Sequence, residues 1–178
     1  MRNVVPKPVP LPTLADVLRR LVDERIGIRD LRAILEALAT IAATEKDPLH
    51  LSEFVRAQLR RAITFRLTRG AGQLGVYLLD PMIEDTVRRA VTRTASGAFL
   101  TLPPAQARDV VAAIRRAFGE GERAAGAPIV VLTQPDIRRF VRKLLEVDFP
   151  EAQVVSFAEL LPEVALRPLA RANLMGIG

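Results

Sequence analysis

The chain has no cysteine and no tryptophan, one histidine, and only 4% aromatic residues among its 178 residues. Without cysteine, disulfide bonds and thiolate metal sites are excluded, which fits a reducing compartment. A Ser-His-Asp, Cys-His or histidine-rich metal arrangement would have to include His50, the only histidine. Its place in the first turn of a predicted helix is typical of a surface or helix-end residue. We therefore predict a non-enzymatic protein with no catalytic residue, no metal site and no cofactor.

Long apolar runs are also missing. No run approaches the roughly 18 residues of a membrane-spanning helix, and the first twelve residues carry four prolines instead of the apolar core of a signal peptide. Taken alone, the chain is therefore expected to be soluble. Apolar residues nevertheless make up 49% of it. With so few aromatics, the core must be built from Leu, Val, Ile and Ala, and we expect more helix than strand.

The net charge of +6 comes almost wholly from arginine, since Lys7, Lys46 and Lys143 are the lysines. A basic protein suggests nucleic acid or an acidic membrane as a partner. However, arginine pairs are spread over five predicted helices that also carry acidic residues, which favours solvated faces. Because arginine binds carboxylates through two hydrogen bonds, contact with other proteins is the better functional interpretation.

Apolar spacing predicts three amphipathic helices in the N-terminal part. An extended, proline-rich lead-in over Val4–Pro12 precedes the first helix, which Thr13 is expected to cap and Gly27 to end. The second runs roughly from Arg29 to Ala43, and the third from Asp47-Pro48 to about Phe65. The buried stripe of the first helix is predicted to comprise Leu14, Val17, Leu18, Leu21 and Val22. Short connections between three such helices predict a winged-helix-like core.

The pattern changes after the glycines of Arg69–Gly72, the expected boundary between subdomains. Helices then alternate with short apolar runs, which predicts a small α/β subdomain. The tail from Pro162 is expected to be irregular. The predicted fold class is α+β, with a helical subdomain at 1–69 and an α/β subdomain at 70–178. The predicted strands, about four and all short, are Leu74–Leu79, Phe99–Leu102, Ile129–Leu132 and Val154–Phe157.

Two patterns that suggest chemistry have simpler explanations. The glycines of Arg69–Gly75 precede a predicted strand, whereas a phosphate-binding loop precedes a helix, so a hinge is expected. Glu84 and Asp85 are adjacent on a predicted helix and point about 100° apart, so they do not face one reacting atom. Both follow Asp80-Pro81, where acidic side chains stabilise a helix start.

An alternative function is a winged-helix-like nucleic-acid-binding protein. Arg56, Arg60 and Arg61 would then lie on the recognition helix. Readers of base edges normally place Asn, Gln, Ser or Thr among the basic residues, and this face offers Gln58 and little else. Nucleic acid is therefore not the expected partner.

Six segments, in the same order along the chain, resemble the C-terminal cytosolic region of the type III secretion export-gate family, FHIPEP, which includes the flagellar FlhA and injectisome SctV proteins. Asp80–Asp85 together with Thr94–Leu100 is closer to the injectisome branch. One departure is Leu102–Pro104, where relatives often have Leu-Asp-Pro, so that a helix cap is lost. The segments are Leu14–Val22, Ile28–Leu38, Glu53–Arg56 with Leu59–Arg61, Leu79–Asp85, Val131–Thr133 with Asp136–Phe140, and Val155–Leu160.

The resemblance implies a non-enzymatic scaffold. The full protein would be integral to the bacterial inner membrane through an N-terminal half that is missing here. Its cytosolic half would form a homononameric ring that receives export chaperones and substrates and meets other secretion-apparatus proteins. This chain would be the last two subdomains, on the cytoplasmic face.

Subunit contacts of such a ring are expected at arginine-and-acid faces, namely at Arg29, Asp30, Arg32, Arg56 and Arg60. The resemblance already runs by Val4, so Met1 is expected not to be the natural start of the full protein.

Overall fold

The computed structural model of the chain describes Val5 and residues 7–175. The lead-in predicted over Val4–Pro12 falls partly outside these residues. The chain divides into two compact units: unit 1 is Met1–Arg69 with Ala158–Leu161, and unit 2 is Gly70–Phe157 with Pro162–Gly178. The short segment Ala158–Leu161 therefore belongs to the helical unit, although it lies late in the sequence.

The described residues form seven α-helices and six strands, which confirms the α+β class. Unit 1 holds four helices, and unit 2 holds the other three helices and the six strands. A 3₁₀ turn at Phe157–Glu159 begins in unit 2 and ends in unit 1. In chain order the elements are α1 (Leu11–Asp23), α2 (Leu31–Ile41), α3 (Pro48–Gln58), α4 (Arg60–Thr68), β1 (Gln73–Leu79), α5 (Pro81–Arg89), β2 (Val91–Thr94), β3 (Gly97–Leu100), α6 (Pro104–Glu120), β4 (Val130–Thr133), α7 (Arg138–Leu145), β5 (Gln153–Ser156) and β6 (Ala165–Ala172).

Helix α1 starts and ends earlier than its sequence predicts. Its N-cap is Pro10, with no side-chain cap, so the predicted Thr13 cap is wrong. At the other end, Arg25 takes a left-handed φ of 61°. The Arg25 N–H donates to the Val22 carbonyl and the Ile26 N–H to the Leu21 carbonyl, both at 2.8 Å. This is a Schellman motif, in which buried Ile26 packs by the last turn, so the helix ends before Gly27.

Two of the predicted helix starts in unit 1 are carboxylate caps. Asp30 Oδ1 accepts the Ala33 N–H at 3.1 Å, and Asp47 Oδ1 accepts the Leu49 N–H at 2.9 Å. The third predicted helix, however, is two helices, because α3 and α4 meet at Leu59. No proline or glycine marks that break, so local sequence signals do not reveal it.

Unit 2 is organised around a four-stranded parallel sheet with strand order β5-β4-β1-β6. Strands β4 and β5 are buried along their whole length, as expected for β-branched runs in a parallel sheet. Strands β2 and β3 form a separate antiparallel hairpin. Helix α6 begins at Pro104 without a side-chain cap, in line with the missing Asp at position 103.

Strand β6 corrects the prediction of an irregular tail. It pairs in parallel with β1 from Gln73↔Ala165 to Leu79↔Ala172. Pro168 is unusual within a strand, because proline has no N–H for a sheet ladder. It is tolerated because β6 is an edge strand and Pro168 lies beside a register shift between Val76 and Tyr77.

Three aromatic rings consolidate the core of unit 2. The rings of Tyr77 and Phe118 pack edge to face with their centroids 4.8 Å apart, and those of Phe118 and Phe149 do so with a centroid distance of 4.9 Å. Gly121, just after α6, lies against the Tyr77 ring. A Cβ on Gly121 would be 2.6 Å from Tyr77 Cε1, whereas a Cβ on Gly119 meets nothing within 4 Å.

We expect Gly121→Ala to lower the free energy of unfolding by about 1–3 kcal/mol, because the buried ring has to shift. The matched change Gly119→Ala, within α6, should raise it by about 0.5 kcal/mol through helix propensity. Urea unfolding followed by circular dichroism measures both. Equal effects of the two changes would contradict the close packing at Gly121.

Candidate functional site

Unit 1 contains a buried ion-pair network centred on Arg56 of α3. Arg56 is 4% exposed and Glu159 is 1% exposed. The guanidinium makes a two-pronged contact with this carboxylate, Nε to Oε1 at 3.0 Å and Nη2 to Oε2 at 2.7 Å. Its Nη1 also lies 3.1 Å from Glu24 Oε2, just after α1. One cation thus joins α3 to the end of α1 and to the late segment.

The segment Ala158–Leu161 has further contacts within unit 1. The Leu161 N–H donates to Thr64 Oγ1 of α4 at 3.0 Å. Leu160 is buried beside these polar groups. An ion pair, a backbone hydrogen bond and an apolar side chain therefore hold four residues in place.

The network carries more positive than negative charge. Arg66 of α4 is half-buried, and its pKa is lowered by burial first and then by repulsion from Arg56 and Arg25, with Glu24 opposing the shift. The carboxylates of Glu24 and Glu159 offset two of the three positive charges, so the cluster has a small net positive charge. Such a cluster fixes the positions of the segments that carry it.

The five predicted subunit-contact residues fall into two groups. Arg29, Asp30, Arg32 and Arg60 are exposed. Asp30 caps α2, and Arg32 Nε bonds Glu36 Oε1 at 2.8 Å. Arg56 is different, since it is buried and bonded inside unit 1, which corrects its assignment to an exposed face. Subunit contact by the four exposed residues stays a prediction.

Burial of Arg56 also bears on the nucleic-acid alternative. Arg60 and Arg61 are exposed at the start of α4. The third arginine assigned to a recognition helix, Arg56, is directed at Glu159 and Glu24. That alternative thus loses one of its three candidate phosphate-binding side chains.

An exposed apolar ridge on α1 is the surface feature that the sequence analysis missed. Leu11 and Val22 are exposed and Leu18 is partly so, although Val22 was predicted to be buried. At 100° per residue, positions 11, 18 and 22 lie within about 40° of one another around the helix. The buried stripe Leu14, Val17 and Leu21 occupies the neighbouring face. The sequence signal for this ridge is the spacing of its residues: Leu18 follows Leu11 by seven positions, and Val22 follows Leu18 by four.

In unit 2, the adjacent carboxylates of α5 have separate partners. Glu84 Oε1 accepts from Thr133 Oγ1 at 2.8 Å and from the Gln134 N–H at 3.2 Å. Asp85 instead receives Arg88, which also bonds Asp136 at 2.6 Å. The hydrogen bond from Arg88 lowers the pKa of Asp136.

Other positions singled out in the sequence lie on the surface. His50 is exposed, with Nδ1 3.0 Å from Glu45 Oε2. Arg69 and Gly70 take left-handed φ values of 53° and 81° at the end of α4, directly before β1. Within the part of the chain that the structure describes, no group of three or more His, Cys, Asp or Glu side chains could hold a metal ion.

Fold and surface together define a two-unit α+β protein with exposed charged and apolar helix faces and a buried ion-pair network in unit 1. The chain belongs to the FHIPEP family, whose model matches residues 1–165. This confirms the expected family. The chain is 42% identical to the protein hrpC2 of Xanthomonas euvesicatoria over 167 residues, which cover 94% of this chain and 25% of that relative.

Solved structures agree with this membership. The CdsV protein of Chlamydia pneumoniae matches with a TM-score of 0.87 and 41% identity, over 93% of this chain and 47% of that one. CdsV in complex with CdsO matches with a TM-score of 0.85 and 42% identity, over 93% of this chain and 48% of that one. Nonameric SctV-C of EPEC matches with a TM-score of 0.80 and 35% identity, over 89% of this chain and 47% of that one. The chain thus spans about a quarter of the curated relative and about half of these solved chains.

We expect Glu159→Gln to lower the free energy of unfolding by about 3 kcal/mol, because it removes the carboxylate that makes two hydrogen bonds with the buried Arg56. The matched change Glu36→Gln, in the exposed pair with Arg32, should leave stability unchanged within error. Urea titration at neutral pH distinguishes the two. A Glu159→Gln protein as stable as the Glu36→Gln protein would contradict the role of the pair.

Proposed function

We propose that this chain is the C-terminal cytosolic region of a type III secretion export gate. There it acts as a ring-forming scaffold that receives chaperone–substrate complexes for protein export. The observation that carries the proposal is the family match over residues 1–165, at 42% identity to hrpC2. The role is one of binding and positioning other proteins, and no reaction is assigned to it.

Ring formation is supported by a relative and by surface chemistry. EPEC SctV-C, which is 35% identical to this chain, was solved as a nonamer. Unit 1 also presents the α1 ridge of Leu11, Leu18 and Val22, and exposed apolar side chains of this kind favour contact with other proteins. We assign Arg29, Asp30, Arg32 and Arg60 to the polar part of the subunit contacts.

Partners other than a second copy would be export chaperones, their substrates and proteins of the secretion apparatus. The solved complex of CdsV with CdsO supports contact with another protein for a 42% identical relative. None of the described helices combines the length and the apolar character required to cross a bilayer. Attachment to the cytoplasmic face of the inner membrane would thus come from the N-terminal half that the family resemblance implies.

Co-purification of tagged and untagged copies, expressed with everything that the reading frame encodes, tests ring formation. We expect untagged copies to be retained by tagged ones. The double change Arg29→Glu/Arg60→Glu should weaken that association roughly tenfold, because it places acidic groups in a contact built for arginine.

Arg93→Glu is the matched control, since Arg93 is exposed on β2 of the other unit. Sedimentation velocity gives the stoichiometry of each protein. Copies that stay monomeric at high concentration and low salt would contradict ring formation. Equal weakening by Arg93→Glu would contradict the assignment of Arg29 and Arg60 to the contact.

A further inference from the structure

Unit 2 contains a cavity of about 270 Å³ beside the carboxyl ends of two neighbouring strands. Helix α5 follows β1, and Leu174 follows β6. The Asp80 N–H donates to the Ala172 carbonyl at 2.9 Å, which ties the two strand ends together. In open α/β sheets, ligands bind outside the carboxyl ends of the strands. The lining residues are Thr86, Gln106, Asp109, Val110 and Leu174.

The size of the cavity limits what it can hold. Ligand pockets usually enclose roughly 300–1,000 Å³, so this cavity, at about 270 Å³, is slightly smaller than that range. A cofactor would be poorly enclosed, whereas one or two side chains from another protein would fit. Arg116 of α6 donates to the Asn173 carbonyl at 3.0 Å and so holds the wall that Leu174 provides.

Asp109 gives the cavity its charge. Four carboxylates of unit 2 are half-buried, and three have partners: Asp80 caps α5, Glu84 bonds Thr133, and Glu146 pairs with Lys143. Asp109 has no hydrogen bond or ion pair to any residue that the structure describes, and neither does the Gln106 side chain beside it. A half-buried carboxylate without a partner attracts a cation that arrives from outside.

Exposed apolar side chains lie close in sequence to two residues that line the cavity, Thr86 and Leu174. Met82 lies one turn before Thr86 on α5, where its carbonyl accepts the Thr86 hydroxyl at 2.7 Å. Met82 is 58% exposed, and Met175, next to Leu174, is 80% exposed. Methionine adapts its shape to different apolar partners. Val110 and Leu174, which line the cavity with Asp109, give it an apolar wall, and the two exposed methionines are near in sequence to its lining residues.

We propose that this cavity docks a partner protein through a segment that carries an apolar residue beside a lysine or arginine. The apolar side chain would fill the space against Val110 and Leu174, and the cation would pair with Asp109. Charge complementarity selects such a partner, because Asp109 offers an unpaired carboxylate beside the apolar side chains of Val110 and Leu174. The proposal does not depend on ring formation.

The test measures binding of two fluorescent synthetic peptides to the complete chain by fluorescence anisotropy. One peptide alternates leucine with pairs of lysine, and the other has glutamate in place of every lysine. We expect the lysine peptide to bind and the glutamate peptide not to bind. Asp109→Asn should weaken binding of the lysine peptide roughly three- to tenfold. Leu174→Ser should weaken it by a similar factor.

The control variant is Glu120→Gln, which removes one negative charge from an exposed position on the same helix. It should leave the affinity within twofold of the unchanged chain. An equal loss with Glu120→Gln would mean general charge attraction and would overturn the proposal, as would binding of the glutamate peptide or no binding of either. If Asp109→Asn instead reduces self-association in sedimentation, the occupant is a second copy and the proposal is wrong.

Discussion

The ion pair between Arg56 and Glu159 joins side chains that are 103 residues apart in the sequence. A buried pair of this kind adds little stability over well-packed apolar residues, because both ions lose their hydration. Its effect comes from the penalty for separating the partners, since either ion left alone in the interior is very unfavourable. The contact therefore specifies where Ala158–Leu161 lies. Glu24 restricts the position further, because the Arg56 guanidinium also pairs with this residue at the end of α1.

The segment Ala158–Leu161 lies in the chain connection between strands β5 and β6 of unit 2. Strands β5 and β6 are the two edges of a parallel sheet, so the chain has to return from one edge to the other. Parallel connections usually need a dozen or more residues, often with a helix. Between Ser156 and Ala165 the chain has only eight residues, of which Phe157–Glu159 form a 3₁₀ turn and Ala158–Leu161 belong to unit 1. Ala158–Leu161, which Arg56 holds in unit 1, therefore lies within an unusually short connection of the sheet.

Local signals predicted the elements that local chemistry determines. Asp47-Pro48 and Asp80-Pro81 start helices because a carboxylate caps free N–H groups in the next turn. The β-branched run before Gln134 forms a buried strand for an equally local reason. Strand β6 was not predictable in this way, because its partner β1 lies some ninety residues earlier in the pairing Gln73↔Ala165 and Pro168 opposes a strand. The break at Leu59 likewise has no marker in its own sequence.

The candidate site follows the same rule. Exposure of Arg29, Arg32 and Arg60 agrees with an amphipathic pattern, whereas burial of Arg56 requires a carboxylate that only the folded chain supplies. Arg138 of α7 is a second example: it is 1% exposed, and its Nη1 donates to the Val154 carbonyl of edge strand β5 at 3.0 Å. Each unit thus has a buried arginine, Arg56 in unit 1 and Arg138 in unit 2. The net charge of +6 consequently overstates the basic surface, and a phosphate-binding face cannot be inferred from the sequence total. The exposed arginines, together with the α1 ridge and exposed carboxylates, suit recognition of other proteins.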